Sequence, residues 1–212
     1  MDSLLRGIQN VYRDLGCPGF GHSYLLKRPA GNVLLPRLAG QATIDHEQDA
    51  IAAAGGVSLI VVTDYHFAGR SCAAVADFFG APIVTSAIEK PKLKKKGLSD
   101  VTGLAYERHF LEEDLEVIPL PGHTSGGLGL IWKNGATRYL FTGDFLYFDG
   151  HTWIAGAKTK RKIQPSLELI KTLPFDVLVG CGSDGVDRPY ARLKTSQAKA
   201  EFIDQILDAF QK

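Results

Sequence analysis

Cysteine is scarce in this chain. Cys17, Cys72 and Cys181 are an odd set of three, widely spaced along 212 residues. Such a set builds neither a disulfide framework nor a zinc ribbon, and it fits a reducing, cytoplasmic setting. Long apolar runs are also missing, and none approaches the ~20 residues that a membrane-crossing helix needs. No basic segment followed by an apolar core opens the chain, so no secretory leader is expected. Neither sign of charge is in excess: 24 Lys and Arg stand against 23 Asp and Glu, a formal net charge of +1. Bulk charge therefore argues for neither nucleic acid nor a membrane as partner. A small-molecule substrate is the expected partner. Repeats and linkers are absent too.

What is present suits a globular core. Hydrophobic residues make up 45% of the chain, and its length suits one domain over residues 1–212. Short apolar runs read as buried strands at Ser23–Lys27, Asn32–Leu35, Val57–Thr63, Pro82–Thr85, Val117–Leu120, Leu128–Trp132, Tyr139–Phe141 and Asp176–Val179. Helices are expected over His46–Ala54 with Asp45 as cap, over Arg70–Phe79 with Gly80 as stop, and over Ser166–Leu173. A final helix carries Ala198, Phe202, Ile206 and Phe210 on one stripe. Leu4, Leu5, Ile8, Val11, Tyr12 and Leu15 fall at helical spacing, although that segment could serve as an edge strand. Cys17–Gly21 reads as a turn. Glu89–Gly97, with lysines at 90, 92, 94, 95 and 96, reads as a solvated loop, with an edge for an anionic ligand as the alternative. Phe145–Lys162 reads as a loop at the rim of a site. Strands and helices mix in both halves, which is an α/β pattern.

Chemistry concentrates where strands run out. Val57–Thr63 opens onto Asp64 and His66, Val117–Leu120 onto His123, and Tyr139–Phe141 onto Asp144, with Gly122 and Gly143 just before the last two. Cys181 follows a strand and a glycine in the same way. If the chain is extended at 64–66, residues two apart point the same way, so Asp64 and His66 face one point and Tyr65 faces away. Two imidazoles and two carboxylates, with a position left for water, suit one divalent cation. Zinc accepts this mixture, and iron or manganese also accept nitrogen with carboxylate. Taken singly, each is more often ordinary: His123 a surface or hydrogen-bonding residue, Asp144 a turn cap, Cys181 a small buried hydrophobe. His22, His46, His109 and His151 have no partner pattern and read as structural or exposed.

The motifs P-G-H-T-S-G (Pro121–Gly126) and L-F-T-G-D (Leu140–Asp144), in this order and separation, resemble the metallo-β-lactamase superfamily. The likeness runs from about Gly21 to the end and includes the paired opening strands S-Y-L-L and N-V-L-L. It implies an αββα sandwich of two mixed sheets flanked by helices. The family signature T-H-x-H-x-D-H falls on Thr63–Gly69. There Asp64 replaces the first histidine, His66 keeps the second, and Ala68 and Gly69 replace the aspartate and last histidine. His123 and Asp144 match the third histidine and the bridging aspartate. Cys181 sits where a final histidine is expected, and Pro36 where members often carry a supporting aspartate.

By this resemblance one metal position keeps His66, His123 and Asp144, with Asp64 as an oxygen substitute, while the other has lost its ligands. One divalent metal ion at most is expected, zinc first, iron or manganese as alternatives. The implied function is a hydrolase using a single metal-activated water, its pKa lowered toward ~7, on an ester, thioester or related substrate. Asp144 and Asp64 would ligate or take the proton, and Thr124 and Ser125 would orient His123. The alternative is an inactive member acting as a binding module for an anionic ligand or partner, with Lys158–Lys162 and the lysine-rich segment as its basic edge. An RNA-processing nuclease fits the family but not this ligand set.

Overall fold

The computed structural model describes residues 11–13, 22–37, 44–157, 160–181 and 189–209. The turn read at Cys17–Gly21, most of the helical spacing over Leu4–Leu15, the start of Lys158–Lys162 and Phe210 lie outside the described residues. The chain divides into two compact units, one running through Ala105 and one beginning at Tyr106.

The first unit is a six-stranded mixed sheet with helices on one face. Its elements are β1 (Val11–Arg13), β2 (Tyr24–Leu26), β3 (Val33–Leu35), α1 (Ile44–Ala53), β4 (Leu59–Val61), α2 (Arg70–Phe79), β5 (Ile83–Ser86), α3 (Lys90–Lys95) and β6 (Val101–Leu104). The strands lie in chain order. β1, β2 and β3 pair antiparallel, and β3 to β6 pair parallel. Val11–Arg13 is thus the edge strand that was the alternative to a helix.

Parallel neighbours need crossovers, and the helices supply them. Leu25, Leu34, Ile60, Val62 and Ile83 form one core with Ile51 of α1, Val75 and Ala76 of α2 and Leu93 of α3. Residues on both faces of β2, β3 and β5 are buried, which accounts for unbroken apolar runs instead of alternation. Asn32 ties the β2–β3 turn to the end of α1 by donating to the carbonyls of Ala54 and Gly56 at 3.2 and 2.8 Å. Gly31 beside it has φ +112°, and a Cβ there would lie 2.3 Å from Ser58 Oγ, so only glycine fits.

Two expectations fail in this unit. Asp45 does not precede its helix, because α1 already begins at Ile44. The lysine-rich segment is not a loop: it forms α3, with Pro91 in the first turn and Leu93 fully buried. Proline is pre-organised for a helix start, and one apolar anchor holds so short a helix on the sheet.

The second unit is another six-stranded mixed sheet. Its elements are β7 (His109–Glu112), β8 (Leu115–Pro119), β9 (Leu128–Asn134), β10 (Thr137–Gly143), β11 (Leu146–Phe148), β12 (Trp153–Ala155), α4 (Lys160–Thr172), β13 (Val177–Gly180), β14 (Tyr190–Arg192) and α5 (Ser196–Ala209). The sheet order is β14-β13-β10-β9-β8-β7, with β11 and β12 as a separate hairpin. β10 and β13 are parallel and the other pairs antiparallel. Ile118, Ile131, Leu140 and Leu178 pack with Ile163, Leu167 and Ile170 of α4 and with Ile203, Ile206 and Leu207 of α5. The loop expected over Phe145–Lys162 is instead the β11–β12 hairpin and the start of α4, and Phe145 belongs to the core. Among the described residues no helix is long and apolar enough to cross a membrane.

Candidate functional site

In the first unit the site residues lie on a tight turn between β4 and α2. Tyr65–Phe67 form a single 3-10 turn with Asp64 as its cap, so the chain is not extended here as expected. Asp64 and His66 nevertheless meet. Asp64 Oδ1 accepts the His66 backbone N–H at 2.8 Å and lies 2.7 Å from His66 Nδ1. An ionised carboxylate only accepts, so Nδ1 carries the proton and Nε2 is the basic nitrogen. The Asp64 side chain is buried and that of His66 is 44% exposed. The Tyr65 ring lies 3.9 Å from the imidazole, centroid to centroid. Lys96 Nζ donates to the carbonyls of Tyr65 at 2.8 Å, Ala68 at 3.2 Å and His66 at 3.4 Å.

The two positions that follow point elsewhere. Ala68 is 0% exposed and is part of the first unit's hydrophobic core. Gly69 is the N-cap of α2, its carbonyl accepting from the Cys72 and Ala73 amides. Neither position presents a ligand atom.

In the second unit His123 and Asp144 come together with Cys181. His123 Nδ1 donates to the Gly156 carbonyl at 2.6 Å, since a carbonyl can only accept. Its Nε2 is therefore the basic nitrogen and faces Asp144 Oδ2 at 4.0 Å. The Cys181 thiol donates to Asp144 Oδ1 at 2.7 Å. Asp144 follows Gly143, which has φ +54° and lies at an irregularity between β10 and β13. Thr142 Oγ1 pins this corner by donating to the carbonyls of Leu146 and Val179 at 3.0 and 3.3 Å.

Gly156 is a site residue that the motif reading missed. A Cβ there would lie 1.9 Å from the Asp144 carbonyl oxygen and 2.8 Å from His123 Nδ1. Its signal was in view: Gly156 directly follows β12, the same strand–glycine pattern that marks the other junctions. The expectation that Thr124 and Ser125 orient His123 gives way to this backbone carbonyl. Thr124 Oγ1 is buried and has no hydrogen-bond partner among the described residues.

The other titratable groups divide simply. Cys72 and Cys181 are thiols and not disulfides. Burial in the first core pushes the Cys72 thiol up to about 12. His22 is buried beside the Tyr24 ring, and His109 Nδ1 bonds the Glu107 carbonyl at 2.9 Å. Both are structural, as expected.

These features fit a cation. Each imidazole has its Nδ1 proton held by a protein acceptor, the arrangement that sets a ligating histidine's tautomer and orientation. A family model described as the metallo-beta-lactamase superfamily matches residues 49–182, more than half of the chain.

The chain belongs to the metallo-beta-lactamase superfamily.

Among superfamily relatives, a hydroxyacylglutathione hydrolase of Prochlorococcus marinus (strain MIT 9301) is 31% identical over 102 residues. That match takes in 48% of this chain and 40% of the relative, so the chain matches well under half of that protein's length. Among solved structures, a B3 metallo-beta-lactamase described as having an active-site glutamic acid is 19% identical, covers 97% of this chain and 88% of its own, and has a TM-score of 0.65. The metallo-beta-lactamase SMB-1, in complex with mercaptoacetic acid, is 17% identical, covers 95% of this chain and 93% of its own, and has a TM-score of 0.68. These likenesses show the metallo-beta-lactamase fold, with its two mixed sheets and flanking helices.

Proposed function

We propose that the protein is a mononuclear metal-dependent hydrolase in which Asp64, His66, His123 and Asp144 hold one divalent cation, zinc before iron or manganese. The observation that carries this reading is the matched state of the two imidazoles, each with Nδ1–H held and Nε2 basic. Asp64, His66 and His123 each offer one ligand atom of a kind that zinc accepts. Asp144 divides its oxygens, Oδ1 to the Cys181 thiol and Oδ2 toward His123. Ala68 in the core and Gly69 capping a helix favour one metal over two.

When bound, the cation supplies a water made acidic near neutral pH and polarises the oxygen of the scissile group. The chain's own residues do the rest. Asp144, its Oδ1 held by the Cys181 thiol, has Oδ2 left, and that oxygen would either ligate the cation or take the proton of the attacking water. The Gly156 carbonyl and the Asp64 carboxylate keep the two rings from rotating. The substrate class we infer is an acyl thioester, because one relative is a hydroxyacylglutathione hydrolase. In this reading residues 1–212 act as one functional domain, and a reducing cytoplasm is its proposed setting.

Elemental analysis of protein purified without chelator is the test. About one equivalent of metal is expected, falling to background in His123→Ala, together with loss of hydrolysis of a hydroxyacyl thioester of glutathione. A native protein without metal, and with no uptake on titration with zinc, would falsify the reading in favour of a binding module.

A further inference from the structure

Lys96 has a use that its place in a lysine-rich run conceals. A turn of only three residues cannot satisfy its own last carbonyls. The carbonyls of Tyr65, His66 and Ala68 all point at one ammonium, Lys96 Nζ, at 2.8, 3.4 and 3.2 Å. Four residues earlier, on the same face of α3, Lys92 Nζ sits 4.4 Å above the Tyr65 ring. Lys92 is anchored in turn by the fully buried Glu89, 3.2 Å away. The Tyr65 ring lies against the His66 imidazole. Two lysines therefore contact the turn that carries His66, Lys96 at its carbonyls and Lys92 over the Tyr65 ring. Lys94 and Lys95 are exposed.

We infer that Lys96 is a positioning residue, which holds the Asp64–His66 turn in the shape that presents the imidazole for ligation. Nothing in the family likeness assigns such a lysine, and the inference rests on the proposed role of His66 as a ligand. Three backbone carbonyls within hydrogen-bond distance of one ammonium, although Lys96 itself is exposed, mark a held turn and not a chance surface contact.

The test uses the full chain and two readouts. In metal-free protein with 15N-labelled histidine, Lys96→Met is expected to move the His66 ring signals toward the averaged tautomers of an unheld histidine. His123 should keep its wild-type signals. Zinc affinity, measured by competition with a chromophoric chelator, should fall about 10- to 100-fold, the usual loss when a group supporting a ligand is removed. Lys96→Arg, which keeps the charge and the donors, should restore most of both. Unchanged His66 signals in Lys96→Met would overturn the inference. So would His66 and His123 signals that shift together with a lowered Tm, because that pattern marks general loosening. A wild-type chain that takes up no zinc, yet whose His66 signals alone respond to Lys96→Met, would support the positioning role and sink the metal reading.

Discussion

The two units hold their candidate site residues by different means. In the first, side chains do it: the Asp64 carboxylate fixes the His66 ring and backbone, and Lys96 gathers the carbonyls of the turn. In the second, backbone does more of it: the Gly156 carbonyl fixes His123 and the left-handed Gly143 aims Asp144, with the Cys181 thiol and the Thr142 hydroxyl as side-chain supports. A set held by side chains can be changed by substitution while the sheet stays intact. One held by backbone can be changed only by disturbing the strands that carry it. The first set is thus the adjustable one, and it is also where this chain departs from the family signature, with Asp64, Ala68 and Gly69.

Gly156→Ala should break the comparison most sharply. Its Cβ would fall 1.9 Å from the Asp144 carbonyl oxygen, so β12 or the Asp144 corner must shift, at a cost of about 3 kcal/mol. Urea unfolding should show that loss, with His123 signals displaced. A variant as stable as wild type would mean that the second unit is not held by its backbone.

Asp64→Ala should cost less, about 2 kcal/mol, because it deletes a buried acceptor serving the His66 backbone amide. The sheets should keep their circular dichroism, and zinc uptake should be lost. A collapse of the whole fold would erase the distinction drawn between the units.

The smallest effect sharpens the comparison through the two thiols. Cys72 lies in an apolar core and Cys181 beside a carboxylate. The Cys72 thiol is raised from 9.0 to about 12 in the fold. Its contribution to stability is therefore whole below pH 9 and is lost progressively as pH rises from about 9 toward about 12. Cys72→Ala should flatten that alkaline limb in Tm measured against pH, whereas Cys181→Ala should leave it in place. An identical limb in both variants would assign it to other groups.

Much of the fold was legible because its signals are local. α2 ends as read, at Phe79, with Gly80 taking φ +64°. The strands at 24–26, 33–35, 83–86 and 128–134 lie within a residue or two of their apolar runs. Asp64 with His66, and His123 with Asp144, were legible as strand-end residues. Three things were not. The helix at Lys90–Lys95 hides its single apolar anchor, Leu93, among lysines, so it shows no period. The Tyr65–Phe67 turn looks extended in one dimension because its closure depends on Lys96, 30 residues away from His66. Gly156 lies 33 residues beyond His123, and only a folded sheet reveals that its carbonyl faces an imidazole.

The burial of Ala68 also bears on repair of the site. By the family resemblance an acidic ligand is expected at this position, where this chain has a methyl group 0% exposed. Placing a carboxylate there would strand a charge among Leu25, Leu34 and Val75, a substitution costing several kcal/mol. A carboxylate at position 68 would therefore need room made by its core neighbours before it could serve a cation.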